Sequence, residues 1–175
     1  KAAGITLTNN NLTAADGTAS GNVRATAGKT SGKFYFEMNW VNAASGTATV
    51  GVGIGTDLLA LTNSGYSTAE AWMFWGTNAG VRHNSSTVIS QSTGTSENIG
   101  FAVDLDNGKL WISLNGTWLQ GDPSTDTNPI FTNLTGATFY PIATPWFGAV
   151  EITFASSSAD LTHAVPTGFT GGWPE

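Results

Sequence analysis

Asp104 and Asp106 lie in the run Asp-Leu-Asp-Asn-Gly, which resembles the start of a calcium-binding loop. Such a loop needs further oxygen ligands and a closing Glu, and this segment has none at the required spacing. Asp side chains so placed also serve as turn formers that accept from nearby backbone N–H groups, and that is the preferred reading. Glycoside hydrolysis is the other chemistry open to carboxylates, and it requires two of them about 5 to 10 Å apart across a sugar cleft. No Glu-x-Asp-x-x-Glu strand motif supplies the pair, and Glu37 stands alone on the outward side of its strand. His83 and His163 are far apart and lack a companion ligand pattern, and no Gly-x-Ser-x-Gly elbow is present. The chain is expected not to be an enzyme and to use no cofactor or metal.

Aromatic and amide side chains are the better candidates. A Trp ring can stack on the C–H face of a sugar while Asn, Asp and Gln bond its hydroxyls, so loops carrying both types fit glycan binding. Tyr66, Arg82, Asn84, Trp118, Trp146 and Phe147 are the ligand-binding candidates on this ground. The same loops could grip an extended peptide, since an aromatic pocket with a few polar groups is a general ligand site. Trp75 and Trp111 fall out of phase with their apolar neighbours, so each is either sheltered by a loop or sheet edge or offered to a ligand.

Six basic against twelve acidic residues give a formal net charge of −6, with no Lys/Arg cluster. That removes the electrostatic footprint of a nucleic-acid binder. No apolar run approaches the roughly 20 residues that cross a bilayer as a helix, so membrane insertion is not expected. The chain has no cysteine, which excludes a disulfide framework but leaves the compartment open. Charged residues make up only 10%, and Thr, Ser, Asn and Gly supply the polar surface, as in many exposed or secreted modules. Lys1 is preceded by no Met or signal pattern, so the chain reads as a processed product or a piece of a longer one.

The elements that must position these residues are strands. Residues 99, 101, 103 and 105 share one face of an alternating run, as do 110, 112 and 114, with Asn107-Gly108 between them and Asn115-Gly116 at the far end. Further runs cover Lys33 to Trp40, Thr49 to Ile54, Trp72 to Trp75, Val81 to Asn84, Phe139 to Ala143 and Ala149 to Phe154. Polar loops are expected at Asn9 to Ser20, Thr56 to Ala69, Ser85 to Ser96 and Gln120 to Asn128, with a hairpin loop at Pro145-Trp146-Phe147-Gly148 and a tail from Ser156. Such a pattern indicates an all-β protein, a two-sheet antiparallel β-sandwich, with residues 1–175 as one domain.

Several landmarks in order identify the chain as a member of the SPRY family, whose sandwich is concanavalin-like. Gly32-Lys33-Phe34-Tyr35-Phe36-Glu37 resembles the family's early Gly-Lys-Trp-Tyr-Trp-Glu strand, and Val50-Gly51-Val52-Gly53 is similar to its Gly-Val-Gly strand. Residues 99–106 and Leu114-Asn115-Gly116 match the Ile-Gly-Val-Ala-Leu-Asp-Leu-Asp to Lys-Asn-Gly pattern. Tyr140-Pro141 and Pro166-Thr167-Gly168-Phe169 match the late Tyr-Pro and the closing Pro-x-Gly-Phe. The approach through Arg24-Ala25-Thr26-Ala27-Gly28-Lys29 is similar in style to SPRY modules of phage and bacterial proteins.

The resemblance implies a binding module whose ligand is chosen by variable loops at one end of the sandwich. The expectation is a non-catalytic recognition module on a phage or bacterial surface structure such as a tail fibre, binding cell-surface glycan from an extracellular or virion-surface position. The alternative is a structural, decoration or protein-peptide interaction domain of a virion or surface assembly, and either is compatible with a larger oligomer. A glycan-cleaving enzyme ranks behind both.

Overall fold

The alternation of residues 99–114 does what it dictates: one face turns inward and the other outward, and backbone bonds run to the neighbouring strands. In the computed structural model, which describes residues 1–16, 21–42, 49–62, 64–76, 80–146 and 150–174, fourteen strands are formed. They are β1 (Ile5–Thr8), β2 (Thr13–Asp16), β3 (Val23–Arg24), β4 (Lys33–Asn42), β5 (Thr49–Thr56), β6 (Ala71–Trp75) and β7 (Gly80–His83). The chain continues with β8 (Ser86–Ile89), β9 (Ser96–Asp104), β10 (Lys109–Leu114), β11 (Thr117–Trp118), β12 (Phe139–Trp146), β13 (Val150–Ala155) and β14 (Thr170–Gly171).

Two sheets result. One runs β1-β2-β13-β4-β9-β10-β11, and β14 lies parallel to the start of β4, on the edge that β13 vacates; the other runs β3-β12-β5-β6-β7-β8. Their inner faces bury Phe36, Met38, Trp40, Val52, Ile54, Phe74, Phe101 and Ile112. The Phe36 and Phe101 rings stack at 5.1 Å and Trp40 meets Phe74 at 5.7 Å, so aromatic contact joins strands within a sheet and sheet to sheet.

Turn chemistry differs between the two Asn-Gly pairs. Asn115 and Gly116, at φ 49° and 79°, form a two-residue turn between Leu114 and Thr117, as expected. The β9–β10 hairpin, however, is closed by residues 105–108, because Asp104 pairs with Lys109, and within that loop only Gly108 is left-handed, at φ 68°. Asp104 makes the longer loop possible by accepting from the backbone N–H groups of Asp106 and Asn107, both at 3.1 Å.

Several short strands lie where loops were expected. β2 falls in the Asn9 to Ser20 stretch, where Thr-Ala-Ala-Asp carries no strong alternation. β8 falls in the Ser85 to Ser96 stretch, entered by a two-residue turn of Asn84 and Ser85 at φ 47° and 64° that contains no glycine. Pro145 and Trp146 belong to β12 and not to a loop tip. The Ala25 N–H donates to the Pro141 carbonyl, so residue 141 directs its backbone polar groups toward β3, and residue 145 shares that parity. Neither proline therefore removes a donor from the β12–β5 ladder. Phe147, Gly148 and Ala149 lie outside the described residues.

Candidate functional site

Three of the proposed ligand residues meet at one corner of the six-stranded sheet. Arg82 pairs with Met73 across β6 and β7, and Met73 belongs with Ala71, Trp75, Leu59 and Ile142 to an apolar patch outside the main core. A short 3₁₀ turn, Gly65–Ser67, covers that patch and brings Tyr66 edge-on to Trp75 at 4.6 Å. The Arg82 guanidinium lies over the Tyr66 ring, 4.2 Å from its centre, and its Nη2 donates to the Ser85 carbonyl at 3.2 Å. The β7–β8 turn is tied to the same piece of chain: Ser85 N–H donates to the Tyr66 carbonyl at 2.9 Å and Asn84 N–H to that of Thr68 at 3.2 Å. The Asn84 side chain is exposed, while Tyr66 and Arg82 are half-buried.

Trp118 is elsewhere. It follows β10 into the other sheet and rests against Tyr35 at 6.1 Å, in a cluster with Trp111, Ala102, Leu161 and Phe169. Of Trp146 only the backbone is described, paired with Thr49, and Phe147 lies outside the described residues. The two out-of-phase tryptophans are both sheltered. Trp75 is 5% exposed under Tyr66, and Trp111 is fully buried, donating its indole N–H to the Thr127 carbonyl at 2.8 Å with Phe169 edge-on to it.

Glu37 is not isolated. Its carboxylate is fully buried and accepts at Oε1 from the Tyr35 hydroxyl (2.8 Å) and His163 N–H (2.9 Å), and at Oε2 from Asn98 Nδ2 and Thr162 N–H (both 2.8 Å). Burial alone would raise its pKa, but the donors, led by Thr162 N–H and Asn98, outweigh it and hold the group below the usual carboxylate range. The same burial, with Glu37 beside it, pushes the Tyr35 hydroxyl up. Both oxygens are engaged in holding the C-terminal strap, a structural task. Asp104 is similar: burial opposes its charge, yet Lys33 Nζ at 2.8 Å and Asn107 keep its pKa low. Of the acidic pair, Asp104 performs the turn chemistry read from the spacing, whereas Asp106 accepts at 2.7 Å from the N–H of Gly32, 74 residues away, and ties the hairpin loop to the approach to β4. His83 stacks on Trp72 at 4.7 Å with Nδ1 2.9 Å from the Ala71 carbonyl.

Where β3 ends, a cleft of about 620 Å³ opens between the sheets, with Ala14, Met38, Ile152 and Phe154 on one wall and Val23 and Ala143 on the other. It is apolar-floored, and Asn10 and Asn11, both left-handed at φ 54° and 66°, line its rim.

The SPRY domain family matches residues 33–157, from the first residue of β4 to just past β13. The chain belongs to the SPRY family. No curated protein matches it in sequence. Among solved structures, the SPRY domain of human HERC1 superposes with a TM-score of 0.70 at 16% identity, covering 86% of this chain and 91% of that one. The TRIM65 PSpry domain gives 0.64 at 16% identity, covering 87% and 85%. At such identity the likeness speaks to the fold. SPRY domains are generally non-catalytic protein-interaction modules. In this SPRY domain Tyr66, Arg82 and Asn84 lie inside the matched span, whereas β1 to β3 and the strap from Thr162 lie outside it. Sequence reasoning missed Ser85, whose carbonyl fixes Arg82, because a serine seldom marks a left-handed turn position.

Proposed function

We propose that this SPRY domain is a recognition module for cell-surface glycan, carried on a phage or bacterial surface structure and so working extracellularly or on a virion. The observation that carries the reading is the corner itself: Tyr66, Arg82 and Asn84 converge on one exposed turn, with the guanidinium held over the Tyr66 ring by the Ser85 carbonyl and the amide exposed to solvent. A planar donor fork beside an exposed amide suits the hydroxyl and carboxyl groups of sugars. The contact is confined to this corner; Trp118, on the other sheet, serves a different face. The test is a glycan array with the isolated chain. Binding that falls several-fold on Asn84→Ala and Arg82→Ala supports the reading, and binding that ignores both substitutions, or none at all, overturns it.

The cleft favours a second reading, a peptide or protein partner. Its volume lies within the roughly 300–1,000 Å³ of ordinary ligand sites, and its floor is apolar. An uncharged peptide selected from a display library on this domain should lose affinity when Ala143→Leu fills the cleft; retention would discount the cleft.

A further inference from the structure

Resting on the glycan reading, we infer that the group seated at Arg82 is the carboxylate of an acidic sugar. Among the described residues no other basic side chain leaves a covered nitrogen without a bond, although only Lys33 and Lys109 are ion-paired and Lys29 lies over Phe34. Lys33 is paired with Asp104 and Lys109 with Asp126, while the Arg24 guanidinium donates to the Thr56 and Asp57 carbonyls and lies over Tyr140. Among the described residues, Arg82 makes no ion pair; its contacts are the neutral Ser85 carbonyl and the Tyr66 ring. Its Nε is covered and bonds to nothing, so whatever the guanidinium binds must be taken at Nη1 and Nη2. A half-buried guanidinium lacking a counter-charge is costly, and an arriving carboxylate offsets that cost with charge-assisted bonds.

Tyr66 is then a positioning residue. One face of its ring carries the guanidinium and Trp75 meets it edge-on, so it fixes the direction of the fork instead of stacking on sugar. Asn84, exposed at the turn, is left to bond a neighbouring hydroxyl. A single guanidinium at this corner of a chain of net charge −6 fits a single carboxylate on a sugar residue and not a dense polyanion, which the rest of the surface would repel.

The experiment uses the whole chain and calorimetric titration with four probes: methyl galacturonoside, its carboxyl-reduced neutral counterpart methyl galactoside, sialyllactose and lactose, and adds a peptide rich in Asp and Glu. One acidic member is expected to bind at least about tenfold more tightly than its neutral partner, the scale of one charge-assisted hydrogen bond. The pair that shows the margin identifies uronate or sialate as the source. Arg82→Gln should erase the margin, Arg82→Lys should keep part of it, and Tyr66→Phe should keep nearly all of it. Should Arg82→Gln fail to fold, Asn84→Asp places a competing carboxylate at the same turn and should also erase it. Equal binding of acidic and neutral partners, or a margin untouched by Arg82→Gln and Asn84→Asp, overturns the inference and leaves the glycan reading standing. Absence of all carbohydrate binding, with or without capture of the acidic peptide, overturns both.

Discussion

His163 reaches Glu37 twice: its backbone N–H donates to Oε1 at 2.9 Å and its ring Nδ1 lies 3.1 Å from the same oxygen, across 126 residues of sequence. Together with Thr162 N–H on Oε2, this fastens the strap to the outer face of the eight-stranded sheet, where Leu161 and Phe169 cover Tyr35 and Trp111. A carboxylate can do this because it only accepts, and every group around it has a proton to give except when the His163 ring presents its bare nitrogen.

Glu37→Ala should therefore destabilise the fold by about 3 kcal/mol or more, because buried donors on Asn98 and Tyr35 and two strap N–H groups lose their acceptor together. Denaturant unfolding measures the loss. Hydrogen exchange should show the amides of Thr162 and His163 losing protection while those of β9 and β10 keep theirs. A cost below about 1 kcal/mol would mean that the strap is held by its apolar contacts alone.

Acid should act through the same groups. Glu37 and Asp104 titrate below their ordinary values of 4.5 and 3.8 in the folded chain, so the unfolded chain binds more protons in that range. Their contribution is whole above about pH 5 and is lost as the pH falls through the depressed folded values. The unfolding midpoint should be flat from pH 7 to 5 and fall toward pH 3. Glu37→Gln should start lower at pH 7 and fall less steeply.

Trp111→Phe should cost about 1–3 kcal/mol, through the lost bond to the Thr127 carbonyl and the space left by the indole. Binding at Arg82 should be unchanged, because the two residues sit on different sheets and share no partner.

The outward placement of Trp111 and the inward placement of Phe101 follow from period-two alternation alone. What covers Trp111 does not, because Thr127 and Phe169 arrive from irregular segments whose paths are set by tertiary packing. Glu37 was legible as an outward acid, but its donors come from β9 and the strap. Tyr66, Arg82 and Asn84 were chosen for their chemistry and meet through the β7–β8 turn, whereas Trp118, chosen on the same ground, follows β10 to the other sheet.

Gly53→Ala should cost about 1–3 kcal/mol, since a methyl there would run into the Trp72 carbonyl of the adjacent strand, which is backbone and cannot swing aside. A circular-dichroism melt checks it. An unchanged melting temperature would mean that β5 and β6 can part locally without loss.

Ser85→Gly should have the opposite sign. Ser85 sits at φ 64°, a left-handed conformation that a side chain disfavours and glycine adopts freely. The resulting Asn-Gly pair is the preferred sequence for a two-residue hairpin turn of this kind. The gain should be about 0.5–1 kcal/mol, seen as a melting temperature about 1–4 °C higher. Because Arg82 is held by the Ser85 carbonyl and not by its side chain, the guanidinium should stay in place and ligand affinity should not change. If stability rose while affinity fell, the left-handed serine would be maintaining the corner through its hydroxyl, which lies 3.4 Å from the Ser67 carbonyl.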